Sequence, residues 1–339
     1  MHPPTADRFV ARAPGRVNLI GEHTDYTGGL VLPMAIDRGI TIEGVRPADG
    51  GSVVLASADE PEPLRLPLPV SDPATVLPAW GRYVAGVAAE LGPRALPVDG
   101  RITSDLPMGA GLSSSAALEV AASLAMHPAP LSVLERASLC RRAEHRATGV
   151  PCGIMDQLAS CAGVEGHALL LDCHSLEIRP VQLPDDLQVL VRFVVRRALA
   201  GSAYADRVAQ CAAAEREIGP LRLADPASAE TIGDPVTRRR ARHVTRENAR
   251  VRDFVAALRA ADTRALGALL LATHASLRDD FEVSTPAMDA AVDAAVREPG
   301  VLGARLLGGG FGGCIVVLAH AGARLEGWRV RPSPGASTS

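Results

Sequence analysis

The chain has 339 residues, 47% hydrophobic and only 3% aromatic, enough for two domains sharing a cleft around a core built mostly from Ala, Val and Leu. A net charge of −3 excludes the basic footprint of a nucleic-acid binder, and no apolar run approaches a membrane span. All 35 basic residues are arginine, which excludes Schiff-base lysine chemistry and a Walker A lysine, so any phosphate must be held by arginine, backbone N–H groups, hydroxyls or a metal.

In chain order, the first notable stretch is GRVNLIGEHTDYTGG, Gly15 to Gly29. It sets Arg16, Asn18, Glu22, His23, Asp25 and Tyr26 among tight-turn glycines, more polar chemistries than a solvated turn needs. Short strand-like runs follow at Gly29–Pro33, Ile40–Val45 and Ser52–Ala56, separated by Gly/Pro/Asp turns. LPMGAGLSSSAALEVA then joins a glycine-rich loop to a helix. Gly109 and Gly111 permit close backbone approach, and Ser113, Ser114 and Ser115 place hydroxyls where the first helical N–H groups are unpaired. That is an anion site, and without a lysine it is not a Walker P-loop.

A second helix is expected from Leu131 to Ala147, with Ser132 and Glu135 at capping-box spacing and a stop near Gly149 and Pro151. AEHRATGVPCGIMDQLAS puts Glu144 near that helix's end and Asp156 at the start of another. Each alone is an ordinary helix charge. Beside a phosphate loop, one carboxylate could help hold Mg²⁺ and the other could face an acceptor hydroxyl. Strands are predicted at His167–Asp172 and Val189–Val195, with a domain boundary between about 172 and 188.

The second half is richer in helix, at Ser202–Ile218, Arg238–Arg259, Thr263–His274 and Pro286–Arg297. RRRARHVTRENARVR reads as an arginine-clad helix with a less charged stripe (Ala241, Val244, Asn248, Val251) rather than a nucleic-acid surface. His243 and His274, with no ligand-like spacing, read as structural. RLLGGGFGGCIVVLAH holds a G-x-G-x-x-G match (Gly308, Gly310, Gly313) but opens a strand near the C-terminus, so it is no dinucleotide fingerprint. Its backbone must pass close to another chain segment or a ligand. The six cysteines, without a C-x-x-C pair, fit reduced thiols, and the N-terminus lacks a signal peptide's apolar core.

These motifs, in this order, resemble the GHMP kinase superfamily and within it the galactokinase family. GRVNLIGEHTDYTGG is similar to the galactokinase signature and LPMGAGLSSSAA to the superfamily's ATP-phosphate loop. AEHRATGVPCGIMDQ resembles the segment holding the family's aspartate, and GGGFGGC the third superfamily motif; the likeness runs over about residues 10–318. The resemblance implies an α+β fold of two domains. Residues 1–180 would form a ribosomal-protein-S5-like N-terminal domain with sugar signature and phosphate loop, and residues 181–330 a ferredoxin-like C-terminal domain. The active site would lie in the cleft between them, and residues 331–339 would be a disordered tail.

The resemblance further implies transfer of the ATP γ-phosphoryl group to the C1 hydroxyl of α-D-galactose, giving galactose 1-phosphate and ADP, with ATP and Mg²⁺ as cofactors. A cytoplasmic monomer acting on a small molecule is expected, with neither nucleic acid nor membrane as partner. Carried over by position, Arg16 and Asp156 are the catalytic pair, and Glu22, His23, Asp25, Gly153 and Tyr204 line the sugar. Gly109, Ala110, Gly111, Leu112, Ser113, Ser114 and Ser115 would hold the phosphates, and Ser115 and Glu144 would assist Mg²⁺. The alternatives are another sugar kinase of the superfamily, acting on N-acetylgalactosamine or arabinose, and a non-catalytic galactose and ATP sensor, against which the complete SSSAAL run argues.

Three departures from the family pattern stand out. Arg192, Phe193 and Val194 replace small polar residues expected near the active site. Leu307 stands where a threonine is usual. The segment after CIVVLAH is short, so a helix and a strand are expected to be missing, with apolar surface exposed as a result.

Overall fold

The hydrophobic pattern of the N-terminus sets the first layer. In the computed structural model, which describes residues 7–48, 50–107, 111–196 and 201–339, β1 (Asp7–Asn18) alternates exposed and buried residues and is buried throughout from Ala13 onward. β2 (Leu30–Val31) and β3 (Pro33–Arg46) follow, then β4 (Ser52–Ser57) and β5 (Leu64–Pro67). α1 (Gly81–Leu91) leads into β6 (Val98–Ser104), and three helices succeed it: α2 (Ser114–Met126), α3 (Val133–Thr148) and α4 (Met155–Ala162). β7 (His167–Asp172), β8 (Ile178–Gln182) and β9 (Leu187–Val195) precede α5 (Gly201–Ile218), α6 (Pro235–Arg259), α7 (Thr263–Asp279) and α8 (Pro286–Ala295). The chain ends with β10 (Val301–Leu306), β11 (Gly313–His320), β12 (Trp328–Val330) and β13 (Ser337–Thr338).

Three sheets result. A six-stranded sheet runs β13-β1-β3-β6-β4-β5, with β4 and β6 parallel and the other pairs antiparallel. A small sheet runs β2-β7-β8, and an antiparallel one runs β10-β11-β9-β12. In chain order the last sheet's strands lie fourth-first-third-second, the ferredoxin-like arrangement.

Packing brings the phosphate-loop helix into the centre. α2 is buried along nearly its whole length from Ala116 to Met126, as expected of a helix that is apolar on all sides. α1 and α3 touch backbone to backbone, since a Cβ on Gly86 would lie 2.4 Å from the Ala143 carbonyl oxygen. α3 starts with the expected capping box, Ser132 and Glu135 bonding each other's backbone N–H groups. One apolar cluster runs from Phe9 and Leu64 through α2 to Val191, Phe254 and Val316, and so joins the first sheet to the third. No helix among the described residues is long and apolar enough to cross a membrane.

Two expectations about the C-terminus are corrected. The tail is ordered: β13 pairs with the outer edge of β1, Ser339 exchanges backbone bonds with Val10, and Arg331 donates its N–H to Asp37. The edge of β1 offers unpaired backbone groups, and the tail satisfies them. The strand expected to be missing is present as β12, paired with β9; between β11 and β12 there is a loop, 321–327, and no helix.

Candidate active site

The sheet ends and the N-terminus of α2 open onto a cleft of about 1060 Å³. At its floor, Asp156 sits in the first turn of α4, placed there by the Gly-Val-Pro-Cys-Gly turn. Arg16, a β1 residue, reaches it bidentately: Nε donates to Oδ1 at 2.7 Å and a terminal nitrogen donates to Oδ2 at 2.6 Å. The other terminal nitrogen donates to the Gly111 carbonyl at 2.8 Å, tying the pair to the phosphate loop. Burial works against the charge on Arg16, but Asp156, Glu22 and Asp25 outweigh it and raise its pKa.

The serine run divides its labour. Ser113 adopts left-handed backbone (φ 58°) and does not cap α2; its hydroxyl donates to Asp156 instead. The first turn of α2 thus has no side-chain cap, which leaves its N-terminus facing the cleft with Gly111, Leu112, Ser114 and Ser115 on the same wall. The remaining expected loop residues, Gly109 and Ala110, lie outside the described residues.

Glu22, His23, Asp25, Gly153 and Tyr204 also line the cleft. Glu22 is held hard: Oε1 accepts from Arg305 at 3.0 Å and from the Gly308 N–H at 2.8 Å. Burial would raise its pKa, but Arg305 and then Arg16 lower it, so it is a carboxylate. The His23 imidazole packs 4.5 Å from the Phe281 ring and bonds the Tyr26 hydroxyl; burial drives its pKa down to about 3, so it is neutral. Asp25 goes the other way, raised to about 7 by burial and then by the negative charges of Asp156 and Glu22. Gly153 packs directly on it: a Cβ there would fall 2.0 Å from Asp25 Oδ2.

Glu144 accepts from the Gln157 amide at 2.7 Å and from the Cys152 thiol. Burial and then Asp156 raise its pKa, with hydrogen bonds from Cys152, Ser115 and Gln157 pulling the other way. Among the described residues no group of three or more His, Cys, Asp or Glu is arranged to hold a metal ion. Ser115 and Glu144 bring a hydroxyl and a carboxylate together, hard-oxygen donors that suit Mg²⁺ shared with phosphate oxygens.

The sequence reading missed the supports. Arg305, with no exposed surface, donates to the carbonyls of Asn18, Leu19 and Leu306 as well as to Glu22; its one signal was a charge inside the apolar strand VLGARLL. α6 is more than an arginine-clad helix: His243 donates to the Glu22 carbonyl, Glu247 accepts from the Gly21 N–H and Asn248 accepts from the Leu30 N–H. These three brace the loop that carries Glu22, His23 and Asp25. Arg196, past the end of β9, adds an exposed guanidinium to the cleft wall. The glycine loop after β10 packs on chain and cleft alike. Gly310 (φ 79°) leaves no room for a side chain against the Val283 carbonyl, and Gly308 and Gly309 line the cleft.

The departures also resolve. Arg192 does not line the cleft; it pairs with Glu298 and donates to the Glu326 carbonyl at 2.7 Å, whereas Phe193 does line it. Leu307 is fully buried in the core.

Comparison with known proteins gives consistent results. The galactokinase galactose-binding signature matches residues 2–45, the GHMP kinases N terminal domain residues 82–164, and the GHMP kinases C terminal residues 254–329. The chain is 46% identical over 329 residues to galactokinase of Homo sapiens, covering 92% of this chain and 83% of that one. It is 42% identical over 356 residues to galactokinase of Chloroflexus aurantiacus, covering 97% and 90%. The structure of Lactococcus lactis galactokinase complexed with galactose superposes with a TM-score of 0.87 at 31% identity, covering 99% of this chain and 95% of that one. Methanococcus jannaschii mevalonate kinase, at 19% identity and a TM-score of 0.69, shares the fold, covering 97% and 100%.

Proposed function

The chain belongs to the galactokinase family of the GHMP kinases, and we propose that Arg16 and Asp156 are the catalytic pair of the reaction it performs. It is an ATP-dependent sugar kinase, transferring the γ-phosphoryl group to the C1 hydroxyl of α-D-galactose and releasing galactose 1-phosphate and ADP. The observation that carries the residue assignment is the convergence, in one cleft, of the Asp156–Arg16 pair, the sugar-signature side chains and the uncapped N-terminus of α2.

Asp156 orients the C1 hydroxyl. Its Oδ2 already accepts from Arg16 and Ser113, while Oδ1 accepts only one of these bonds and has room for a sugar hydroxyl. Phosphoryl transfer through a loose transition state asks little of the acceptor carboxylate, because little proton transfer precedes bond making. The sugar oxygen bonds the γ-phosphorus, the bond to the ADP oxygen breaks, and the hydroxyl proton passes late to Asp156. Glu22, His23, Asp25, Gly153 and Tyr204 read the sugar. A pocket that pairs particular hydroxyls penalises an epimer by leaving buried polar groups unpaired.

The α2 N-terminus and its serines receive the phosphates, and Ser115 with Glu144 would hold Mg²⁺. That ion, when bound, neutralises charge developing on the β- and γ-phosphate oxygens. The chain divides between β8 and β9, after the expected boundary at residue 180, which falls inside β8, and acts as a cytoplasmic monomer.

Sugar 1-phosphate formation from ATP and Mg²⁺ tests the reading across galactose, 2-deoxygalactose, N-acetylgalactosamine, arabinose and glucose, with Asp156→Asn alongside. Turnover of galactose without turnover of glucose is expected, and a fall of about 10²–10⁴ in kcat for Asp156→Asn with galactose still bound. Near-normal turnover by Asp156→Asn would remove it as the proton acceptor.

A further inference from the structure

Below the cleft, a carboxyl group is buried where packing alone would favour a leucine. Glu119 lies one turn beyond Ser115 on the same face of α2, has no exposed surface, and is surrounded on its helix by Ala, Leu and Val. Its Oε2 accepts from Gln157 Nε2 at 3.1 Å, and the same nitrogen donates at 2.7 Å to Oε2 of Glu144. Gln157, also without exposed surface, therefore spends both amide protons on two carboxyl groups, one at the cleft and one beneath it. Neither Oε1 of Glu119 nor Oε1 of Gln157 finds a partner among the described residues.

A primary amide has two edges. Turned over, Gln157 would set its carbonyl oxygen against the Glu144 carboxylate, which is repulsive. Both hydrogen bonds donated by the NH₂ group oppose that rotation, and the one accepted by Glu119 lies outside the cleft. Burial, and then the Glu144 charge, hold the Glu119 proton far above the usual carboxylate range, so Glu119 serves as a neutral acceptor and adds no second negative charge behind the cleft.

We propose that Glu119 is a positioning residue: it locks the Gln157 amide N–H toward Glu144 and so fixes the orientation in which Glu144 meets the metal–nucleotide. This rests on Glu144 being the metal-facing carboxylate. Groups behind a metal ligand typically change metal affinity by about 10–100-fold when removed.

The test compares Glu119→Leu, Glu119→Gln and Glu144→Gln in the full chain. Two readouts are used: the Mg²⁺ concentration for half-maximal rate at fixed ATP, and the increment in melting temperature that Mg²⁺ adds to ADP alone. Glu119→Leu should raise the half-maximal Mg²⁺ about tenfold and shrink the Mg²⁺-dependent increment, with galactose KM changed less than about twofold. Glu119→Gln, whose carbonyl still accepts from Gln157, should stay close to the parent. If Glu119→Leu does not fold, Gln157→Asn, which withdraws the amide from Glu144, should show the same loss. Unchanged Mg²⁺ dependence in Glu119→Leu or Gln157→Asn, with Glu144→Gln impaired, would overturn the positioning role alone. Unchanged Mg²⁺ dependence in Glu144→Gln would instead remove Glu144 as the metal-facing group.

Discussion

Asp25 should make galactose capture depend on pH near neutrality. Its carboxyl is raised to about 7 from an ordinary 3.8 by burial and by Asp156 and Glu22, so ionising it in the cleft costs up to about 4 kcal/mol more than in water. A carboxylate offers both of its oxygens as acceptors to sugar hydroxyls, whereas protonation turns one of them into a donor. The ratio kcat/KM for galactose reports the free enzyme and should fall about tenfold per pH unit below 7. kcat reports the bound complex and should hold to lower pH, because hydroxyl donors favour the ionised form.

Folding responds with its own sign. Between the unfolded value of 3.8 and the folded value of about 7, the native chain holds a proton that the unfolded chain has released. The stability this contributes is complete below the unfolded value, declines as pH rises, and is gone above the folded one. Asp25→Asn copies the protonated state, so it should flatten the acid limb of kcat/KM at a low level. It should also melt higher than the parent at alkaline pH, with the gap closing in acid. Initial rates and melting curves across the neutral range measure both. A flat kcat/KM in the parent, or the same limb surviving in Asp25→Asn, would refute the assignment.

Gly153→Ala should abolish galactose capture while sparing the nucleotide side, since its Cβ would fall 2.0 Å from Asp25 Oδ2; galactose KM should rise at least about a hundredfold, equivalent to roughly 3 kcal/mol, with the melting shift given by ATP retained. Arg305→Met takes the donor from the Asn18 and Leu19 carbonyls and leaves the buried Glu22 carboxylate without its counter-charge, held only by the Gly308 N–H. A loss of about 3–5 kcal/mol is expected by chemical denaturation, partly recovered by adding Glu22→Gln. Arg192→Ser should cost only about 1 kcal/mol and leave kcat/KM for galactose within about twofold, because the guanidinium pairs with Glu298 away from the cleft; a large drop in rate would place Arg192 at the site.

What could be read in the sequence was local. The capping box at Ser132, the bounds of β7, and the clustering of Glu22, His23 and Asp25 all rest on neighbours within a few residues. β1 escaped the sequence reading, because it is buried on both faces over its second half and loses the alternation that marks a strand. The supports of the site were hidden for another reason. Arg305 bonds Glu22 across 283 positions and Glu247 bonds Gly21 across 226, so neither partner carries a mark in its own neighbourhood. The tail was misread because Pro, Gly and Ser suggest disorder, while the order comes from the unpaired edge of β1.

The oddities at Arg192 and at the short C-terminus, separate in the sequence, meet at one place in the structure. β11 and β12 both run antiparallel to β9 and flank it, so the chain must cross β9 between them. A crossover helix would pair its own carbonyls; the loop 321–327 cannot. Side chains of β9 do so instead. Gln188 donates to the carbonyls of His320 and Ala323 at 2.8 Å each, and Arg192 donates to Glu326 while its other nitrogens grip Glu298. Gly327 fits tightly beneath, where a Cβ would lie 3.0 Å from the Arg192 side chain and the Val191 carbonyl. A small polar residue at position 192 could not span from β9 to both Glu326 and Glu298. The long arginine therefore helps to hold the short crossover, and the cleft keeps its Asp156–Arg16 floor.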